Sequence, residues 1–148
     1  MERFITMIIM AQVASTLTLV GLIWFVQVVH YPLMARVGIG NFPTYEKEHQ
    51  RLTTWVVGPS MLVELLTAGG LLWIRPAAIH FWLVLTGSLL LVLIWGMTFL
   101  VQVPQHVKLS VGYQPDILKR LVAGNWWRTA LWTTRGFLVL GILWQLLD

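Results

Sequence analysis

Four stretches of the chain are apolar almost throughout and long enough to cross a bilayer: 4–29, 53–74, 80–103 and 126–147. A spanning helix needs about 20 predominantly apolar residues. A membrane β-barrel would instead be built from segments of roughly 10 residues with alternating polarity, and the sequence has no such series. Inside hydrocarbon the backbone must satisfy its own hydrogen bonds, so each stretch is read as a helix. The predicted fold class is all-α: an integral membrane antiparallel four-helix bundle, with 1–148 forming a single four-helix transmembrane domain.

The links set the topology. Between the second and third spans lie only the residues 75–79, with Pro76 stopping the helix. So short a link makes an antiparallel hairpin. The other two links, 31–52 and 104–125, are longer and fall on the opposite face of the bundle. In the first of them Thr44 is placed to cap a helix through Tyr45, Glu46, Lys47, Glu48 and His49, so the second span is expected to begin early and to kink at Gly58-Pro59. In the other, Pro115-Asp116 is expected to start a short surface helix. That helix would turn Ile117, Leu118, Leu121 and Val122 to the lipid and end at Gly124.

Composition agrees with the membrane reading. Hydrophobic residues make up 57% of the chain and charged residues 11%, against about 25% charged in soluble domains. The net charge of +4 does not point to nucleic acid, because the basic residues outside the spans sit in links and at helix ends. Arg36, Lys47, Arg51, Lys108, Lys119 and Arg120 lie on the long-link face and Arg3 and Arg75 on the other, six against two. The positive-inside rule then puts the long links in the cytoplasm and both termini outside. The first apolar stretch is too long for a signal h-region and lacks a cleavage site, so it is expected to be retained. No cysteine is present, which excludes disulfides, thiol redox chemistry and thiolate ligands.

Each span also carries polar residues at helical spacing. These are Gln12, Thr16, Gln27 and His30 in the first, and His49, Thr53, Ser60, Glu64 and Thr67 in the second. The third has Ser88, Thr98, Gln102 and His106, and the fourth Asn125, Arg128 and Arg135. Serine, threonine and glutamine serve as glue between membrane helices. Ionisable groups cost more there and ask for a reason. Glu64 and Arg135 start from the same face and reach similar depths, roughly 15 Å at 1.5 Å per residue, so they are expected to pair. The pair has two readings: a lock on the bundle, or a proton relay or substrate anchor.

His30, His49 and His106 all come to the long-link face, and Glu46 stands three residues before His49 on the same helix face. A Glu-x-x-His pair is the kind of ligand set that carboxylate-bridged di-iron bundles use. Imidazole with carboxylate suits iron, copper or zinc. The candidate metal set is therefore His30, Glu46, His49 and His106, and the candidate axial pair for haem is His30 with His106. The alternative is that these are interfacial histidines without a cofactor, as His80 is on the other face. Asn125, Trp126, Trp127 and Arg128 form a further cluster at the start of the fourth span. The tryptophans fit a membrane-interface belt, while Asn125 and Arg128 fit an anionic or carbonyl group.

Three groups of residues together resemble a known pattern: His30-Tyr31-Pro32, Gln102-Val103-Pro104-Gln105-His106, and Asn125-Trp126-Trp127-Arg128-Thr129 with Arg135. The chain resembles the bacterial DUF1772-like four-helix integral membrane proteins, which include an anthrone oxygenase-like group. The resemblance implies a bacterial inner-membrane protein. It also implies a redox role for a pocket framed by His30, His106, Asn125 and Arg128. The chain has Trp132, Thr133 and Thr134 where the resemblance leads one to expect a histidine.

Three functions remain open on the sequence. One is a metal-dependent oxidoreductase or oxygenase acting on a lipophilic substrate, with Glu64, Arg135, Arg128 and Asn125 as candidate catalytic residues. The second is a haem-binding membrane protein. The third is a small transporter or accessory subunit, in which Gly69-Gly70 and Gly87 would allow close helix contacts in the bundle or a homo-oligomer. The sequence has no P-loop, dinucleotide fingerprint or hydrolase elbow.

Overall fold

The structure, a computed structural model, describes residues 2–147. Four long helices account for almost all of it: α1 (Glu2–Met34), α2 (Phe42–Ile74), α3 (Phe81–Leu109) and α4 (Pro115–Leu147). All four are long and apolar enough to cross a membrane. They run antiparallel in sequence, and the molecule is an all-α integral membrane bundle. α1 packs on α2 and α4, and α4 packs on α3.

The core falls into three layers. At the hairpin end Ile9, Val13, Leu71, Ile79, Val84, Val139 and Ile142 bring all four helices together. The hairpin is pinned by Arg75, whose Nη1 donates to the Ile79 carbonyl at 2.7 Å. In the middle layer Leu19, Ile23, Met61, Ile94 and Trp132 meet. At the other end Tyr31, Met34, Phe42, Leu109, Leu118 and Leu121 seal the long links against the bundle. Phe42 is fully buried and meets Tyr113 edge-on at 4.9 Å.

Two helix starts differ from the sequence expectation. α2 begins at Phe42, with Pro43 in its first turn and Asn41 at the N-cap position, so Thr44 lies inside the helix. Proline suits that first turn because its missing N–H has no helical partner there. α4 runs unbroken from Pro115 through Gly124 to Leu147; there is no separate surface helix. Leu118 and Leu121 are buried, and Ile117 and Val122 pack against them, so this turn faces protein and not lipid. Gly124 does not end the helix. A Cβ there would stand 3.1 Å from Gln102 Nε2, so the glycine allows α3 to approach.

Two features were not visible in the hydropathy pattern. α1 contains a π-helical turn at Val26–His30 and α3 one at Thr98–Gln102. Each ends two residues before a proline, Pro32 and Pro104. Proline has no N–H for the i−4 carbonyl and its ring crowds that oxygen. The ladder widens instead: Tyr31 N–H reaches Val26 O and Val103 N–H reaches Thr98 O. Such turns change which face a side chain occupies and often accompany functional sites.

Candidate functional site

The polar seam closes inside the bundle. Glu64 is fully buried and Arg135 is 2% exposed. Glu64 Oε1 accepts from Arg135 Nε at 2.7 Å and from Thr16 Oγ1 at 2.7 Å. Its Oε2 accepts from Trp132 Nε1 at 3.3 Å. Arg135 Nη1 donates to the Gly87 carbonyl, and a Cβ on Gly87 would stand 3.1 Å from that nitrogen. Gln12 bridges the next level, accepting from Thr67 Oγ1 at 2.5 Å and donating to Thr16 at 3.3 Å. Each lone pair of the carboxylate that is used meets a donor from α1 or α4, which is what a buried ion pair needs to offset desolvation. Gly69 and Gly70 meet nothing within 4 Å of where a Cβ would be, so within the bundle only Gly87 of the three serves close approach.

Towards the long-link end a second polar group forms. Asn125 is fully buried; its Nδ2 donates to Gln27 Oε1 at 2.8 Å, and its Oδ1 accepts from Arg128 Nη1 at 3.0 Å. Gln27 in turn donates to the Val122 carbonyl at 3.3 Å. The Arg128 guanidinium lies over the Trp132 ring, 5.0 Å from its centre.

Above it the expected histidines do gather. The His30 and His49 rings stack at 4.3 Å, and His49 lies 5.3 Å from His106. Glu46, fully buried, does not join His49 in a shared ligand set. It reaches across to α3, where its Oε1 lies 2.5 Å from His106 Nδ1. Gln50, one turn further along α2, donates to Glu46 Oε1 at 3.2 Å and to the His106 carbonyl at 3.1 Å. The other ring nitrogen of His106 faces the Tyr31 hydroxyl at 3.4 Å. His49 Nδ1 is bonded to Thr53 Oγ1 at 3.1 Å.

This arrangement does not fit the expected metal set. Among the described residues no group of three or more His, Asp or Glu side chains is disposed to hold a metal ion. Stacked imidazoles send their in-plane lone pairs side by side, and one carboxylate oxygen is already held by His106. Of the candidate axial pair for haem, His30 stacks on His49, and His49 in turn lies beside His106.

What the side chains enclose is a cavity of about 510 Å³ between the middle and long-link layers of the core. Its walls are mostly apolar: Leu19, Leu22, Ile23 and Val26 from α1, Val57, Met61 and Leu62 from α2, Trp95, Phe99 and Val103 from α3. Its polar end is made by Tyr31, His49, Gln50, Gln102, His106 and Arg128. Lining residues on α2 and α3 are also exposed on the outside of the bundle, including Thr54, Leu62, Phe99 and Val103. The mouth therefore lies between these two helices, on the surface that faces lipid. His30 and Glu46 stand behind the lining, as do Glu64 and Arg135. Both π turns contribute to the cavity, Val26 from the first and Thr98, Phe99 and Gln102 from the second.

Of the residues singled out on the sequence, the structure brings His49, Thr53, Thr98, Gln102, His106, Arg128 and Trp132 to one cavity, with Glu46 holding His106 and Asn125 holding Arg128. Tyr31 and Gln50 were not singled out. Tyr31 stands between His30 and Pro32 in one of the motifs, and Gln50 follows Glu46 by one helical turn; that spacing is the signal that finds it. Compared with known proteins, the chain matches no family model, no curated protein and no solved structure.

Proposed function

We propose that this protein binds a lipophilic small molecule that enters from the bilayer between α2 and α3, and carries out proton-transfer chemistry on it at His106. The observation that carries the reading is the meeting of an apolar cavity with a histidine buttressed by a buried carboxylate. A cavity of about 510 Å³ falls in the range that holds drug-sized ligands, commonly about 300–1,000 Å³. Its apolar walls with a few convergent polar groups suit a molecule delivered by lipid. Glu46 fixes the orientation of His106, the role a carboxylate plays behind a catalytic imidazole. The nitrogen on the far side of the ring, next to Tyr31, is then the one that takes or gives a proton.

The oxygenase activity implied by the resemblance to anthrone oxygenase-like proteins is one reaction that such a site could begin, by removing a proton from an activated aromatic substrate. A metal ion has no place in the proposal, since the imidazoles would have to leave their stack to share one.

The test is extraction and mass spectrometry of lipophilic molecules that co-purify with the protein in mild detergent. Val57 lines the cavity, and Val57→Trp should fill it. A compound bound near one per chain in the native protein and absent from the folded variant supports the reading. Equal recovery from both contradicts it.

A further inference from the structure

The two buried arginines of α4, Arg128 and Arg135, lie seven residues apart, two turns along one face, but the fold treats them differently. Arg135 is given a carboxylate, Glu64. Arg128 is given none. It is 8% exposed, and the ion pairs among the described residues are Arg51–Glu48, His106–Glu46 and Arg135–Glu64. Its Nη1 is held by the Asn125 amide oxygen, and its plane rests on Trp132. Its Nε is buried with no partner. Leaving a buried cation without an anion is costly.

We infer that the cavity takes a lipophilic carboxylic acid whose carboxylate is held by Arg128. The inference rests on the proposed binding of a lipophile in this cavity and names its head group. With Nη1 engaged by Asn125, the remaining Nε–Nη2 edge of the guanidinium is the one that matches a carboxylate with two parallel hydrogen bonds. Asn125 and Gln27 fix the guanidinium from behind, so its orientation is set before a ligand arrives. Two more donors line the same cavity. Trp95 Nε1 is buried and has no acceptor, and the Tyr31 hydroxyl meets only the His106 ring, at 3.4 Å. These donors around a fixed cation outnumber the unpartnered acceptor of the lining, Gln102 Oε1, and suit a head that only accepts.

The test compares palmitate with hexadecanol, which share a chain and differ in charge. Both are titrated against the full chain in a neutral maltoside detergent, with binding read by native mass spectrometry. The native protein is expected to prefer palmitate by at least about tenfold. Arg128→Gln should remove that preference by weakening palmitate far more than hexadecanol, while Arg128→Lys should keep part of it. Should Arg128→Gln fail to fold, the native preference and the lysine variant still decide. Palmitate and hexadecanol binding equally well to native protein, with both lost in Val57→Trp, would overturn the acid and leave the cavity reading standing. An undiminished preference in Arg128→Gln would overturn the role of Arg128. Binding of neither probe, or binding unaltered by Val57→Trp, would overturn both the acid and the cavity.

Discussion

Glu46 on α2 and His106 on α3 are joined at 2.5 Å across the long-link end of the bundle, and Glu46 is fully buried. The pair ties together the two helices whose separation lower down opens the cavity, so it serves both as a clasp and as the support of the proposed reacting imidazole. His106→Gln would leave the carboxylate facing only Gln50. A buried acceptor that loses its hydrogen-bond partner costs about 1–3 kcal/mol. The variant is expected to unfold earlier in a detergent-based thermal scan, and to lose turnover on any substrate while still binding it. Binding and turnover falling together would mean that His106 acts only through the fold.

Glu64 is expected to be structural. It is enclosed by Thr16, Trp132 and Arg135 and does not line the cavity. Glu64→Gln should destabilise the bundle by about 3–5 kcal/mol, because it leaves the Arg135 charge uncompensated. Glu64→Leu combined with Arg135→Met should recover most of that loss. Chemical unfolding in mixed micelles measures both. A stable but inactive Glu64→Gln would instead return this pair to the chemistry.

Gly87 gives a second test of the same lock. Gly87→Ala puts a methyl group 3.1 Å from Arg135 Nη1 and blocks its bond to the Gly87 carbonyl. Overpacking of this kind costs about 1–3 kcal/mol. Gly69→Ala and Gly70→Ala, where nothing lies within 4 Å, should be tolerated in the bundle, and a melting temperature unchanged in all three would refute the distinction.

The π turn in α3 is expected to depend on Pro104. Pro104→Ala restores an N–H for the Leu100 carbonyl and removes the ring that crowds it. The turn at Thr98–Gln102 should then relax towards α geometry and move Phe99 and Gln102 out of the cavity wall. The predicted result is a bundle at least as stable as the native one with weaker binding of hexadecanol. Stability lost and binding kept would show that the π turn has another cause.

The large features were legible because they follow from length and cost. Hydropathy runs give the four helices, and equal depth gives Glu64 with Arg135, since a charge in hydrocarbon needs its partner. The convergence of His30, His49 and His106 follows from their places at helix ends. What the sequence could not convey was angular. Whether Glu46 faces His49 or reaches to His106 depends on how α2 and α3 pack. The π turns before Pro32 and Pro104 shift the register of the side chains between them. Pro115 and Gly124 read as the ends of a short helix, because turn signals do not reveal that Leu118 and Leu121 are covered by Tyr31, Met34 and Phe42. The shape of the cavity is a property of packing: of His30, His106, Asn125 and Arg128, which the resemblance set around a pocket, only His106 and Arg128 line it.

The most direct measurement is photolabelling. The protein is reconstituted into bilayers with a small apolar diazirine, irradiated, and mapped by peptide mass spectrometry. The account predicts labels on Val57, Met61 and Trp95 of the cavity, displaced by excess hexadecanol, above an even background at outward residues such as Trp55, Leu66 and Leu100. Labels confined to those outward residues, unchanged by hexadecanol, would contradict it.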